Sequence, residues 1–514
     1  MSSHARQPKL TTADEAVALI EEGQTVAFSG FVGAAHPEGL SSAIERRFLA
    51  TGKPRDLTIV YGAGQGDGKT RGLNHLAHLG LLRRVIGGHW GLCPSLGRMA
   101  INDEIEAYNF PQGVICQLLR DIAAGRPGTI THVGLDTFID PARDGGRLNR
   151  ITPPGAVERI ELDGRPWLWF KAFPIHVGLI RATAADPRGN LTMDREAVIG
   201  EVLPIAQAAK NHGGIVIAQV EEIRNEPADP HLVRVPGVLV DRIVVASEGE
   251  HDQTFAEADN PAYYEPFRGD VSQLVHDRLS PEVRRIIGSR ACDELHAGDV
   301  ANLGIGLPEA VAKVAAERGL LDEVTLTVES GPIGGMPVGG LSFGASQHPD
   351  AIVDQPSQFD WYDGGGLDFS ALGAAQVDER GNVNVSKFGT RLSGVGGFVN
   401  ISQNSRRLVF CTPLTVDGLE VACDDGRLRI VQEGLMPKFI RQVEHLSFGA
   451  DFARRLGREV LYVTERAVFR LIDEGLDLIE IAPGIDLERD VLARMEFRPL
   501  IRNVRPMDSR HFRH

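Results

Sequence analysis

Short apolar, β-branched runs alternate along this chain with stretches whose apolar residues recur at helical spacing. "LTIVY" (57–61), "IVIAQV" (215–220), "VTLTV" (324–328) and "LVFC" (408–411) read as buried strands. Helix starts are signalled between them. Thr12 and Glu15 form a capping-box pair, and Ser280-Pro281 combines an N-cap with a proline at the first helical position. Alternation of this kind predicts an α/β protein, with helices packed on the faces of parallel or mixed sheets.

The pattern is written twice. "EEGQTVAFSGFVGAAHPEG" (21–39) lies over "LHAGDVANLGIGLPEA" (295–310), with Gly23 on Gly298 and Pro37-Glu38 on Pro308-Glu309. "DLTIVYGAG" (56–64) lies over "EVTLTVESG" (323–331), and "ATAADPRGN" (182–190) over "GAAQVDERGN" (373–382). "GGIVIAQV" (213–220) resembles "RRLVFCTP" (406–413). Two related α/β halves are therefore expected, residues 1–245 and 276–514. The acidic, proline-containing stretch from 246 to about 275 joins them as a linker. The "DPRGN" and "DERGN" stretches read as tight turns, with Gly189 and Gly381 at left-handed angles.

Composition narrows the function classes. The chain has 514 residues and is 42% hydrophobic and 24% charged, ordinary for a soluble enzyme. Its formal net charge of −15 argues against coating nucleic acid or an anionic membrane. The first residues lack the apolar stretch of a signal peptide, and no apolar run reaches a membrane span, so a cytoplasmic protein is expected. Five cysteines without a CxxC read as reduced thiols filling cores.

Residues 57–72, "LTIVYGAGQGDGKTRG", look at first like a phosphate loop ending in Gly68-Lys69-Thr70. The second copy of the loop has no Lys-Thr, and "LNHLAHLG" after it gives at most a short helix. The match is read as a by-product of a glycine-rich turn. His75 and His78 stand at i,i+3 with no third ligand nearby, so no metal site is expected.

One substitution between the copies carries chemistry. Gly62 of the first meets Glu329 of the second, at the end of "VTLTV" and beside Gly331, Gly334 and Gly335. A carboxylate at the C-terminal end of a strand is where open α/β folds hold ligands, although a turn-capping glutamate has the same spacing. The surrounding text, "VESGPIGGMPVGGLSFGASQHPDAIVDQPSQFDWYDGGGLDFSALGAAQVDERGNVNVSKFG" (328–389), closely resembles the family I CoA-transferases in their single-chain fused form. The resemblance extends to "ANLGIGLPEAV" (301–311), "IGGHWG" (86–91), "EIEAYNFPQGV" (104–114), "SGVGGFVN" (393–400) and "VLYVTERAVF" (460–469).

That resemblance implies exchange of CoA between acetyl-, propionyl- or 3-oxoacyl-CoA and a free short-chain acid, with no tightly bound cofactor. It implies that Glu329 attacks the thioester and comes to carry CoA, that the Gly397 N–H donates to an oxyanion, and that Gln112 meets the substrate carboxylate. Gln112 comes from one half and Glu329 from the other, so the site is expected to draw on both. Gly304, Gly306, Gly331 and Gly396 are expected along the CoA arm, and a homo-oligomer, a tetramer, is expected. Which Lys or Arg holds the CoA phosphates is not assigned. Acyl-CoA hydrolysis on the same scaffold stays open, and a non-catalytic phosphosugar or nucleotide sensor is a remote alternative.

Overall fold

The computed structural model describes residues 9–266 and 282–513; Ser280-Pro281 and residues 267–275 lie outside the described residues. The chain divides into two compact units. One comprises Met1–Phe267, Val328–Trp361 and Gly389–Asn400; the other comprises Arg268–Thr327, Tyr362–Phe388 and Ile401–His514. The compact units therefore differ from the expected halves, because two pieces of the C-terminal half belong to the first unit.

The first unit is built on a ten-stranded sheet. Its main path runs Lys9–Leu10, Arg242–Val245, Ile215–Ile223, Val177–Ala185, Thr25–Phe28, Leu57–Tyr61, Leu82–Gly87, Glu106–Asn109, all parallel. The order in which successive strands are added reverses between Thr25–Phe28 and Val177–Ala185, which makes their carboxyl ends the switch point of a doubly wound sheet. Thr25–Phe28 and Leu57–Tyr61 are apolar-rich and buried along their whole length, while Leu82–Gly87 and Glu106–Asn109 carry polar residues at their less buried starts. Helix Glu38–Thr51 opens behind Pro37 and turns Leu40, Ala43 and Ile44 onto the sheet, into a core with Val26, Ile59 and Leu57. Thr12 accepts from the Glu15 N–H at 3.3 Å, and Glu15 accepts from the Thr12 N–H at 3.2 Å, completing the capping box.

The second unit repeats the order. Thr325–Thr327, Val300–Leu303, Phe369–Gly373, Arg407–Cys411 and Glu459–Val463 are neighbours in that sequence and parallel. Antiparallel Ala467–Ile472 and Gly475–Ile481 then extend the sheet. The switch point falls again between the first strand of the repeat, Val300–Leu303, and Phe369–Gly373. The recurring turns agree in detail. Asp186 accepts the N–H groups of Arg188 and Asn190 at 2.8 and 2.9 Å; Asp378 accepts those of Arg380 and Asn382 at 3.0 and 2.9 Å. Gly189 and Gly381 both have positive φ, 76° and 87°.

Two sequence patterns resolve differently from their surface appearance. In the phosphate-loop-like stretch, Asp67 Oδ1 takes the N–H groups of Lys69, Thr70 and Arg71 at 2.8–3.0 Å. A carboxylate thus occupies the donors a phosphate would need, and only a 3-10 turn, Leu73–Leu76, follows. Residues 246–266 do not behave as a loose linker. Arg181 holds the Asp252 carbonyl at 2.7 Å, Arg71 holds the Asp252 carboxylate at 3.0 Å, and Gln219 holds the Glu250 carbonyl at 2.8 Å. Composition marks the stretch as solvated, but the buried Arg181 and Gln219 of the sheet and the half-buried Arg71 take up its acceptors. Among the described residues no helix is long and apolar enough to cross a membrane.

Replacing Asp186 with Ala removes the acceptor of the Arg188, Asn190 and Ala228 N–H groups, and replacing Asp378 removes that of Arg380, Asn382 and Val443. Each variant is expected to lose about 1–3 kcal/mol of apparent stability, read from urea unfolding. An unchanged midpoint would show that water serves these turns equally well.

Candidate functional site

The loops that follow the parallel strands of the first unit come together at the carboxyl end of its sheet. They are residues 29–36, 62–66, 88–93 and 110–112. Gln112 opens helix Gln112–Ala123 behind Pro111 and is 2% exposed. Its N–H donates to the Gly396 carbonyl at 2.9 Å, and the Gly396 N–H donates to the Gly88 carbonyl at 2.8 Å. Asn109 clamps the same seam: its Nδ2 donates to Gly88 O at 2.5 Å and its Oδ1 accepts the Val395 N–H at 3.0 Å. Trp90 and Gly91 donate to Ser393 O, and Gly113 donates to Asn400 Oδ1. Residues 393–400 are in this way stitched onto the strand-end loops.

Two donors are left over at this seam. Gln112 Nε2 is buried without a hydrogen-bond partner among the described residues. The buried Gly397 N–H also donates to no group among the described residues; it immediately precedes helix Phe398–Asn404. Buried donors without partners are rare, and a pair of them suits an oxyanion or a carboxylate. Gly396 has a φ of 52°, and a Cβ there would stand 3.5 Å from Gln112 Oε1. Any side chain at 396 would strain the turn.

Glu329 lies in a turn two residues past Thr325–Thr327, half-buried. The turn closes through Val328 N–H to Pro332 O and Gly331 N–H to Val328 O, both 3.0 Å. Gly331 has a φ of 129°, and a Cβ on it would run into the Val353 carbonyl. A path of direct contacts joins this turn to the Gln112 seam. Ser330 Oγ donates to Gly344 O at 2.5 Å, Gly344 abuts the Phe31 ring, and the Val32 N–H donates to Gly64 O at 2.7 Å. Gly64 abuts His89, and His89 flanks Gly396. Val32 has a φ of 56°, a costly conformation for a β-branched residue and one found where backbone is held for function.

Gln112, Gly396, Gly397, Glu329 and Gly331 therefore all belong to one compact unit. Gly304 and Gly306 belong to the other. They follow Val300–Leu303 at its own switch point, with the Gly304 N–H on Ala371 O at 2.8 Å and the Gly306 N–H on Glu309 Oε1 at 3.0 Å.

Comparison with known proteins decides what this arrangement belongs to. The Coenzyme A transferase family model matches residues 10–246. The chain is 42% identical to the caffeate CoA-transferase of Acetobacterium woodii, over 98% of this chain and 97% of that one. It is 41% identical to the acetate CoA-transferase YdiF of Escherichia coli (strain K12), over 99% and 96%. A crystal structure of the E. coli O157:H7 acyl-CoA transferase YdiF, as a thioester complex with CoA, superposes with a TM-score of 0.91 at 39% identity, covering 99% of this chain and 96% of that one. The chain is a member of the coenzyme A transferase family. It is a fused, single-chain CoA-transferase that takes acyl-CoA and carboxylic acids as substrates.

Three groups of the transferase near the seam escaped sequence reasoning. His89, in "IGGHWG", is pulled down to about 4 by desolvation and stands neutral beside Gly64 and Gly396. Glu201, the residue before helix Val202–Asn211, is fully buried. Burial pushes its carboxyl up to about 7, with the Asp354 charge adding to the rise and the Gly30 N–H opposing it. Gln355 donates through Nε2 to the Cys116 sulfur at 3.2 Å, and the Cys116 thiol lies 3.6 Å from Glu201 Oε1. In sequence these are an ordinary histidine, a helix-start acid and a polar turn residue. Cys93, Cys116, Cys292, Cys411 and Cys423 are all free thiols, and burial raises each of them. His75 and His78 both bind Glu45, at 2.5 and 2.7 Å, and no group of three or more metal-ligating side chains occurs among the described residues.

Glu201 generates a pH prediction. Its folded-state value, about 7, lies above the ordinary 4.5, so the folded state holds the proton more tightly. The stabilisation is complete below about 4.5 and is lost as pH rises through about 7. Over that window wild type should lose about 3 kcal/mol relative to Glu201→Gln, which cannot ionise. Urea unfolding from pH 4.5 to 8 reads it; parallel slopes in the two proteins would rule out a neutral Glu201.

Proposed function

We propose that the transferase exchanges CoA between short-chain acids through Glu329. A carboxylate is ionised at neutral pH, so no general base is required. It needs close placement and a partly dry setting to become an effective nucleophile. A Glu329 oxygen attacks the thioester carbonyl, and CoA thiolate leaves. The acyl-glutamyl anhydride is then attacked at its glutamyl carbonyl by the same thiolate. The first acid departs as a carboxylate, and Glu329 holds CoA as a thioester. A second acid reverses the two steps and leaves with CoA.

Each tetrahedral intermediate places negative charge on an oxygen. The observation that carries this reading is the pair of buried donors without partners, Gln112 Nε2 and the Gly397 N–H, on a seam whose backbone is fixed by Gly88, Asn109 and Gln112. Preorganised donors of this kind are worth most where water is excluded. Gly331 and Gly396 are proposed along the pantetheine arm. Binding of the remote nucleotide end would then contribute to activation of the thioester. Relatives that act on acetate and on caffeate support a monocarboxylic acid acceptor, with acetate and propionate as our first choices. We further propose a cytoplasmic homo-oligomer, a tetramer, to be checked by light scattering.

Mixing the protein with acetyl-CoA, without acceptor acid, should give a CoA-sized mass increase on the peptide containing Glu329. Glu329→Ala should give none and no exchange activity, with its fold intact. Exchange retained in that variant would remove Glu329 from the mechanism. CoA release without adduct and without dependence on added acid would make the protein a hydrolase. Gln112→Ala should lower kcat/KM by about 10²-fold, the usual cost of one oxyanion donor.

A further inference from the structure

The site has a counterpart in the same compact unit. Gln112 opens one helix and its N–H donates to Gly396 O at 2.9 Å; Gln355 opens helix Gln355–Asp363 and its N–H donates to Gly200 O at 3.1 Å. Gly396 and Gly200 have φ of 52° and 65°. Each is separated by one residue, Gly397 or Glu201, from a helix that leads to the next parallel strand of its repeat, Arg407–Cys411 or Ile215–Ile223. Glu329 of the second copy corresponds to Gly62 of the first. The two copies thus hold the same pair of residue types, glutamate and glycine, with the places exchanged.

The exchange fills a space. A Cβ on Gly62 would meet Glu201 Oε1 at 2.5 Å, Cys116 Sγ at 3.1 Å and Gln355 Nε2 at 3.4 Å. The Glu201 carboxyl therefore lies across the spot from which a side chain at 62 would rise. Glu201 Oε2 and Gln355 Oε1 are both buried acceptors without partners, and a proton on Oε2 would turn that oxygen into a donor. The groups facing it are Cys116 from helix Gln112–Ala123, Asp354 and Gln355 from the next helix start, and the Gly30 N–H from the first strand-end loop.

Resting on the reading of Gln112, Glu329 and Gly397 above, we infer that this cluster is a closed copy of the active site. Its carboxylic-acid receptor is permanently filled by the Glu201 side chain. Glu201 is then a positioning residue standing where the working site takes a substrate acid, and the vacated place should accept a short-chain monocarboxylic acid in its neutral form. Through Gly62, whose carbonyl packs against Gly88, the filled receptor also supports the seam beneath Gln112.

The test is size-matched rescue in the Glu329→Ala background, which removes transfer chemistry. Glu201→Gly deletes a side chain equivalent to propionic acid; Glu201→Ala deletes the equivalent of acetic acid. Each should lower Tm by several degrees and leave a gap of that size. Propionate on the order of 100 mM should raise the Tm of the Gly variant most, and acetate that of the Ala variant. The parent's own shift is subtracted, and the effect should be larger near pH 5.5 than near pH 8 because the receptor favours the neutral acid. Glu201→Gln, the neutral isostere, should match the parent Tm near pH 4.5 and exceed it at pH 8, without added acid. Rescue that is absent, or that shows no crossover between the two acids, overturns the inference. Glu201→Gln as unstable as Glu201→Ala overturns it too. If Glu201→Gly does not fold, the Ala variant with acetate and the Gln isostere carry the test. Exchange activity surviving in Glu329→Ala would instead overturn the transfer mechanism and leave the rescue result standing.

Discussion

The backbone of Gly396 is the constraint on which the site depends. Its N–H is spent on Gly88 and its carbonyl on Gln112. Those two bonds fix a loop from the second half of the sequence between two strand-end loops of the first. A peptide held at both ends cannot rotate, so the next N–H, that of Gly397, is aimed without any bond of its own. The same bond that anchors Gln112's backbone leaves its side-chain amide unspent. Preorganisation here means that neighbouring groups have been satisfied, so the remaining donors have only a ligand to serve.

Much of the fold was legible because it is local. Apolar runs, the Thr12–Glu15 capping box and the Asp-x-x-Gly-Asn turns are set by residues within a few positions of one another, and all recur in the structure. The compact units were not legible. Segments 328–361 and 389–400 join the first unit through contacts such as Gln112 to Gly396, nearly 300 positions apart, and nothing in local pattern marks a segment as belonging elsewhere. The acidic stretch after residue 246 misled for a related reason. Composition reports how many acceptors it carries, while Arg181, Arg71 and Gln219 decide that they are used.

The site was legible unevenly. Glu329 stood out because comparison of the two copies supplied a control: a carboxylate where the partner has glycine. Gln112 and Gly397 carried no such signal, and only the family resemblance pointed to them. Glu201 was invisible, since an acid beside a helix start is normally a favourable dipole partner in water. Its burial depends on the loop at residue 30, the helix holding Cys116 and the helix start at Gln355, three elements far apart in sequence.

A duplicated fold faces a difficulty that a single copy does not. Each copy builds a strand end, a left-handed glycine and a helix start, and so each builds a polar pocket. A pocket lined by buried donors and acceptors costs stability unless something fills it. In the mechanism we propose, substrate fills the working site for part of each cycle. The other must be filled by the chain itself. Glutamate at 201 supplies the group that the pocket was shaped to receive, and glycine at 62 removes the side chain that would compete for the space. The two substitutions are one event in physical terms, because either alone leaves a collision or a void. Glycine at 397 with glutamate at 329 is the complementary choice, and in the mechanism we propose it leaves the second copy's pocket to an acid from solution.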